Sequence, residues 1–519
     1  MRFPRSSGIL LHPTSLPGPW GIGDLGPSAY AFVDFLAAAG QSLWQILPLG
    51  PTGYGDSPYQ CFSAFAGNPL LVSLDALIQR GLLSYDEAAS AAAERHLSPD
   101  VVYYGEVLNL KLPLLRRAFE RVLAGAAPDL AGDFRAFQAA QAGWLADYAL
   151  FMALKDAHAG QPWNAWEPPL RDRQPEALAR ARQEHAATIA FQEFLQFLFF
   201  HQWSHLKAYA NQQGIAIIGD APIFVAYDSA DVWANRDLFF LDASGNPTVV
   251  AGVPPDYFSA TGQRWGNPLY CWREMAQDGY RWWVERMRAV FAQVDVLRLD
   301  HFRGFAAYWE VPAEEETAIK GRWVRGPGAD LFTRLEAALG SLPIIAEDLG
   351  LITPDVHALR DQFDFPGMKV LQFAFDTPEN PYLPHNHVPN CVVYTGTHDN
   401  NTSVGWFQGL TEEERERVRA YLGRDGADIA WDLLRLALMS VADLVVIPFQ
   451  DVLRLGAEAR MNTPGLLGQN WAWRFRAEAL NDGLAGGLRF LTAVYDRLPP
   501  ALKPAKEQEG ELEYQPVDV

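Results

Sequence analysis

Eight short runs of apolar, often β-branched residues recur along the chain, at 8–11, 43–47, 215–219, 294–299, 344–346, 368–373, 392–395 and 444–448. Each is closed by Gly, Pro or a polar cluster. Runs of this length without polar alternation are typical of strands buried on both faces. Between most of them lie stretches with helical spacing. The first, 29–39, has Pro27 ahead of it, Ser28 as its prospective cap and Gly40 as its terminator. Strands alternating with helices predict an α/β fold with a parallel sheet, and eight repeats predict closure into a (β/α)8 TIM barrel over 1–500.

Two gaps are too long for simple connections. The stretch 52–211 is helical in pattern, with Ala-rich segments at 88–94 and 134–155, and is read as a mainly helical insertion between strands two and three. The stretch 224–293 forms a second insertion, between strands three and four. It is rich in Gly, Pro and aromatics, and includes 252–270. A long loop of that composition is usually either functional or disordered, and its Trp, Tyr and Phe content favours a function. Both insertions are expected at the C-terminal face of the barrel. Residues 503–519 are charged and Glu-rich and read as a solvated tail. No internal repeat is present.

Composition narrows the function. At about 150 residues per domain the 519-residue length would suggest three or four domains, but a barrel with insertions absorbs it. Lys and Arg number 42 against 62 Asp and Glu, a net charge of −20 that argues against nucleic acid or an anionic membrane as partner and suits a neutral substrate. Three cysteines, Cys61, Cys271 and Cys391, lie far apart with no CxxC, which favours a reducing cytoplasm. The apolar run at 9–11 is too short for a signal-peptide core, and no stretch approaches the ~18 apolar residues of a membrane span. Seventeen Trp and 18 Tyr form a large aromatic load, mostly assignable to the core, with sugar stacking as the sharper alternative.

Two motifs fail on inspection. Gly21-Ile-Gly23-Asp-Leu-Gly26 matches GxGxxG, but the next strand ends Ile46-Leu-Pro-Leu-Gly50, without the acid that would hold a ribose. The glycines are read as a tight loop. His201 and His205 stand at i, i+4 on a helical stretch without a third ligand, and are read as ordinary surface or core histidines. No motif implies a cofactor or an essential metal.

Active sites of such barrels are built at the C-terminal ends of the strands. Strand three ends in Gly219-Asp220, strand four in Leu297-Arg-Leu-Asp300-His301, strand five in Ala346-Glu347-Asp348 and strand seven in Gly396-Thr-His398-Asp399. Four strands, read as neighbours in space, thus deliver an acid to one rim. Helix capping would explain any one of the aspartates, but it explains Glu347 poorly and Arg298 not at all. The period of two puts Arg298 and Asp300 on one face, where the guanidinium holds the carboxylate ionised and oriented. Two carboxylates without a metal cluster point to glycosidic-bond chemistry, with Asp300 as nucleophile and Glu347 as acid/base. Asp399 would bind sugar hydroxyls, with a further hydrogen bond from His398.

The segments Asp220-Ala-Pro-Ile-Phe, Leu297-Arg-Leu-Asp300-His-Phe-Arg-Gly, Ala346-Glu347-Asp-Leu-Gly and Tyr394-Thr-Gly-Thr-His398-Asp399-Asn resemble the four motif regions of the α-amylase clan. Longer stretches are similar to one branch, the amylomaltase or 4-α-glucanotransferase family, glycoside hydrolase family 77. They are His12-Pro-Thr-Ser-Leu-Pro, Gly50-Pro-Thr-Gly-Tyr54-Gly-Asp-Ser-Pro-Tyr59-Gln, Gly252 through Pro268, and Arg460-Met-Asn462-Thr-Pro-Gly. The resemblance spans about 8–475 and implies a retaining transfer of α-1,4-glucan segments between maltooligosaccharides or longer glucans. It implies Asp300 as nucleophile, Glu347 as acid/base and Asp399 as transition-state stabiliser. Tyr59, Asp220, Arg298 and His398 would surround the covalently bound sugar. Gln263 and Trp265 would belong to a mobile loop over the donor site, with Asp256, Asn267 and Asn462 as further substrate contacts. Tyr54 matches a position linked to a second glucan-binding groove, beside a plain reading as a turn tyrosine. The chain departs from the pattern at Leu466-Leu467, an apolar pair in a loop expected to be polar. A hydrolase of the same clan and a non-catalytic glucan-binding barrel are the alternatives; the presence of Asp300, Glu347, Asp399 and Arg298 together speaks against the second.

Overall fold

The computed structural model describes residues 2–255, 259–466 and 468–503. Among the described residues twelve strands are formed: β1 (Ser6–Leu10), β2 (Leu43–Gln45), β3 (Ala216–Pro222), β4 (Val249–Val253), β5 (Gln263–Pro268), β6 (Val296–Asp300), β7 (Ala307–Pro312), β8 (Arg322–Arg325), β9 (Ile344–Ala346), β10 (Gly367–Val370), β11 (Cys391–Tyr394) and β12 (Leu444–Pro448). Eight of them close into a parallel barrel in the order β1-β12-β11-β10-β9-β6-β3-β2. These are the eight predicted runs, so the (β/α)8 barrel expected from the sequence is the fold.

Alternation along each strand separates two cores. Ile218, Val296, Ile345, Met368, Val392 and Leu444 fill the barrel interior. Their neighbours Ile217, Val393 and Val445 pack outward against the helical shell, as do Leu297 and Ile344. Continuing the inward series two residues at a time carries Ile218 to Asp220, Val296 to Arg298 and Asp300, and Ile345 to Glu347. The polar site is the top layer of the barrel's own packing.

The first helix runs Pro27–Ala38, with Pro27 at its first turn and Gly26 as the N-cap; Ser28 lies inside the helix and does not cap it. Gly40, at φ +68°, turns the chain out of it. The GxGxxG stretch is a loop: a Cβ on Gly23 would lie 2.1 Å from the Pro13 carbonyl oxygen. Close packing of loop on loop explains the glycines without a phosphate.

Between β2 and β3 the chain forms a series of helices, ending in the 27-residue helix Ala186–Gln212. They share one continuous core with the barrel's helical shell, through residues such as Leu74, Leu115 and Phe194 alongside Phe32 and Leu433. Lys111, on the helix Tyr104–Leu123, is fully buried and donates to Asp24 Oδ2 at 3.0 Å and to the Leu70 carbonyl at 2.7 Å. The pair fastens this region to the loop after β1.

The second long connection contains β4 and β5. With β7 and β8, from the segment between β6 and β9, they form a four-stranded antiparallel sheet in the order β5-β4-β7-β8. The sheet was not anticipated. Ala-Tyr-Trp-Glu-Val-Pro and Arg-Trp-Val-Arg are short, the first only partly buried and the second largely exposed, so they lack the continuous apolar run that marks a barrel strand. Among the described residues no helix is long and apolar enough to cross a membrane.

Candidate active site

Arg298 is the hub. It is buried at the top of β6, with Nη1 2.7 Å from Asp220 Oδ2 and Nη2 2.9 Å from Asp300 Oδ1. Its Nε lies 3.4 Å from the Met368 sulfur. Burial disfavours the guanidinium charge, but the flanking Asp220 and Asp300 carboxylates outweigh it and hold the group protonated, well above its ordinary value. A fork of donors clamped between two acids fixes the direction of Asp300, which keeps 29% of its side-chain surface exposed to the cleft.

Asp220 is buried, which raises its carboxyl to about 7 against the opposing pull of Arg298. Its Oδ2 also accepts from the Tyr59 hydroxyl at 2.9 Å, while its Oδ1 is buried without a hydrogen-bond partner. With the Tyr59 proton committed to Asp220, the phenolic oxygen accepts from His398 Nε2 at 2.9 Å. Burial lowers the His398 pKa and favours the neutral ring. The Tyr59 and His398 rings stack at 5.2 Å, and Trp471 packs against both, at 5.8 and 6.0 Å.

Glu347 follows β9 directly. Its Oε2 accepts from the His301 backbone N–H at 2.8 Å and its Oε1 from Leu349 N–H at 3.0 Å. The enclosed surroundings of the carboxyl, and then the Asp300 charge, raise it to about 8 despite those two donors. His301 sits at φ +53°, a left-handed backbone that a non-glycine residue seldom adopts, and this turn is what aims its N–H at Glu347. The neighbouring Asp348 does structural work: it accepts from Met368 N–H at 2.7 Å and from Arg360 Nη1 at 2.6 Å.

Asp399 enters from the loop after β11. The four acid-bearing strands are therefore not consecutive in space: β3, β6 and β9 adjoin, but β10 stands between β9 and β11. The loop from Thr395 onward carries Asp399 to the site. Asn462 Nδ2 donates to Asp399 Oδ1 at 2.6 Å, Arg460 Nη2 donates to the Asp399 carbonyl at 2.6 Å, and His398 Nε2 lies 3.5 Å from Asp399 Oδ2.

The remaining predicted residues divide. Trp265, on β5, meets the His301 ring edge-on at 4.7 Å, and its Nε1 donates to Gln263 Oε1 at 3.1 Å, which brings the hairpin β4–β5 next to Asp300. Asn267 is buried and donates to the Val225 carbonyl at 2.9 Å, so it ties the base of that hairpin to the loop after β3. Asp256 lies outside the described residues, as do Leu467 and most of the 503–519 tail. Tyr54 begins the short 3-10 turn Tyr54–Asp56, and its side chain is likewise outside the description. Leu466 is exposed. His201 and His205 line a separate hollow on the helical shell, and no group of three metal-binding side chains occurs among the described residues.

Two site residues escaped sequence reasoning. Trp471 packs beneath Tyr59 and His398, at φ +62°, and its carbonyl accepts from the Tyr104 hydroxyl at 2.8 Å. Arg460 holds the backbone of both Asp399 and Asn462. The Arg460-Met-Asn462 string was visible, but the partner it grips lies some sixty residues away.

A barrel mouth carrying one clamped carboxylate, one carboxyl with a raised pKa and a third acid opposite defines an enzyme acting on glycosidic bonds. Residues 11–480 match the family described as 4-alpha-glucanotransferase, glycoside hydrolase family 77, and the chain belongs to it. It is 51% identical to the 4-alpha-glucanotransferase of Thermus thermophilus over 96% of this chain and 100% of that one. It is 52% identical to the 4-alpha-glucanotransferase of Synechocystis sp., over 95% and 98% respectively. The amylomaltase from Streptococcus agalactiae, solved in complex with acarbose, superposes with a TM-score of 0.91 at 40% identity, covering 95% of this chain and all of that one.

Proposed function

We propose that the chain transfers α-1,4-glucan segments from one maltooligosaccharide to another by a retaining double displacement at Asp300 and Glu347. The Asp300 oxygen not bonded to Arg298 attacks the anomeric carbon. The glycosidic C–O bond breaks, and the Glu347 proton passes to the departing sugar oxygen. Glu347, now a carboxylate, takes the proton from an acceptor hydroxyl, whose oxygen attacks the same carbon and releases Asp300. The observation that carries this reading is the division of labour between the two acids: one paired with a guanidinium, the other raised by enclosure and by its neighbour's charge.

Around that exchange, Asp220 fixes the Tyr59 hydroxyl and Arg298 from within, and Tyr59 offers its ring to the sugar at the point of cleavage, with His398 and Trp471 packed against it. Asp399, steadied by Asn462, is suited to bind hydroxyls of the distorted ring. The contact of Trp265 with His301 supports the reading of 252–270, with Gln263 and Trp265, as a lid that excludes water and favours a sugar acceptor. Asp256 and Tyr54 are carried as substrate contacts on the resemblance alone, Tyr54 for a second groove. The thiols Cys61, Cys271 and Cys391 are all free, which supports a cytoplasmic setting. The test is incubation with pure maltotriose. The expected result is glucose plus a ladder of longer chains with no net gain of reducing ends; a steady rise in reducing ends without longer products would sink the transferase reading in favour of a hydrolase.

A further inference from the structure

On the antiparallel sheet, β8 carries Trp323 with 42% of its surface exposed, unusual for an indole fixed this firmly. Arg303 lays its guanidinium over one face of the ring, 3.9 Å from the centroid, and Trp309, its register partner on β7, meets it edge-on at 5.2 Å. Trp309 is itself fixed, its Nε1 donating to the Ala318 carbonyl at 2.8 Å. Trp323 is therefore a pre-set surface that needs no ordering on contact. Arg325, two residues along the same strand and so on the same face, is exposed beside it.

The position of this face gives it an occupant. Arg303 follows Asp300 by three residues, and its Nη1 donates to the carbonyl of Leu351, four residues beyond Glu347. The Trp323 ring thus rests on the two loops that carry the reacting carboxylates. A flat indole presents its face to the C–H surface of a pyranose, and an adjacent guanidinium donates to the hydroxyls at the ring's edge. We propose that the Trp323–Arg325 face of β8 is an accessory glucan-binding platform for the outlying glucose units of long α-1,4-glucans. The proposal rests on glucan transfer at the Asp300–Glu347 site.

The experiment compares kcat/KM on amylose with kcat/KM on maltotriose, for the full chain and for Trp323→Ala, Trp323→Phe and Arg325→Ala. On this proposal amylose extends from the Asp300–Glu347 centre to the platform and maltotriose does not. In Trp323→Ala the amylose-to-maltotriose ratio is expected to fall between about two- and tenfold, the range for one aromatic contact. Trp323→Phe should restore most of that ratio, and Arg325→Ala should lower it by a smaller factor. An unchanged ratio in both alanine variants overturns the platform, as does an equal loss on both substrates, which reports damage to the fold. Failure of the underlying reading shows separately, as absence of a product ladder from maltotriose in the unmodified protein.

Discussion

The barrel handles arginine in opposite ways at its two ends. At the C-terminal mouth Arg298 is clamped between the carboxylates of Asp220 and Asp300, and the charges raise its hold on the proton. At the N-terminal end Arg497 is fully buried and donates to the carbonyls of Ser6, Leu438, Ser440, Ala442 and Asp443. Arg5 adds bonds to Leu438, Ser440 and Ala442 from the other side. These are neutral acceptors, so burial followed by repulsion from Arg5 lowers the Arg497 pKa to about 9. One guanidinium organises charge for chemistry. The other ties the start of β1 to the turn that leads into β12, where the barrel closes. The same side chain serves reactivity or cohesion according to whether its partners are charged.

Substitutions at the two ends should separate those roles. The largest effect is expected from Asp300→Ala, with kcat falling by about 10^4-fold or more and the melting temperature little changed; measurable turnover near that of the unmodified protein would reject the nucleophile. Glu347→Gln should cost about 10^2- to 10^4-fold. Its signature is the pH profile. Because the Glu347 carboxyl is raised to about 8, its proton is retained through neutral pH and lost above it, so kcat/KM should fall on the alkaline side. That limb should vanish from the residual activity of the glutamine variant. At the opposite end Arg497→Met should leave kcat/KM of the folded protein intact. It should cost about 3 kcal/mol of stability, read by denaturant titration, because five carbonyls each lose one of the hydrogen bonds they accept. A loss of activity matching that of the mouth variants would erase the distinction between the two ends.

The parts legible in the sequence are those whose physics is local. Parallel strands buried on both faces, such as Leu444–Pro448, appear as unbroken apolar runs, and the acids Asp220, Asp300 and Glu347 appear where those runs stop. What could not be read depends on distant partners or on backbone angles. The strand Arg322–Arg325 has too few apolar residues to declare itself. Asp348 resembles its neighbour Glu347 in the string but turns to Arg360 and Met368 N–H. Trp471 is one tryptophan among 17 until its left-handed backbone brings it under His398. The spacing of Asp399 misled for a related reason: loop length, not strand adjacency, sets how far it reaches.

The hydroxyl of Tyr104 on the carbonyl of Trp471 joins the long helical excursion after β2 to a residue that lies under the catalytic cluster. Alongside it, Val102 N–H donates to the Ala472 carbonyl and Arg474 N–H to that of Asp100, so two distant stretches of chain run together as a short seam. An excursion stitched in this way is not a detachable ornament. In recombination or loop grafting between relatives it should be inherited with the 460–475 segment as one unit of exchange. A chimera that splits the seam would misplace the floor under Tyr59 and His398 while every catalytic carboxylate stayed where it was.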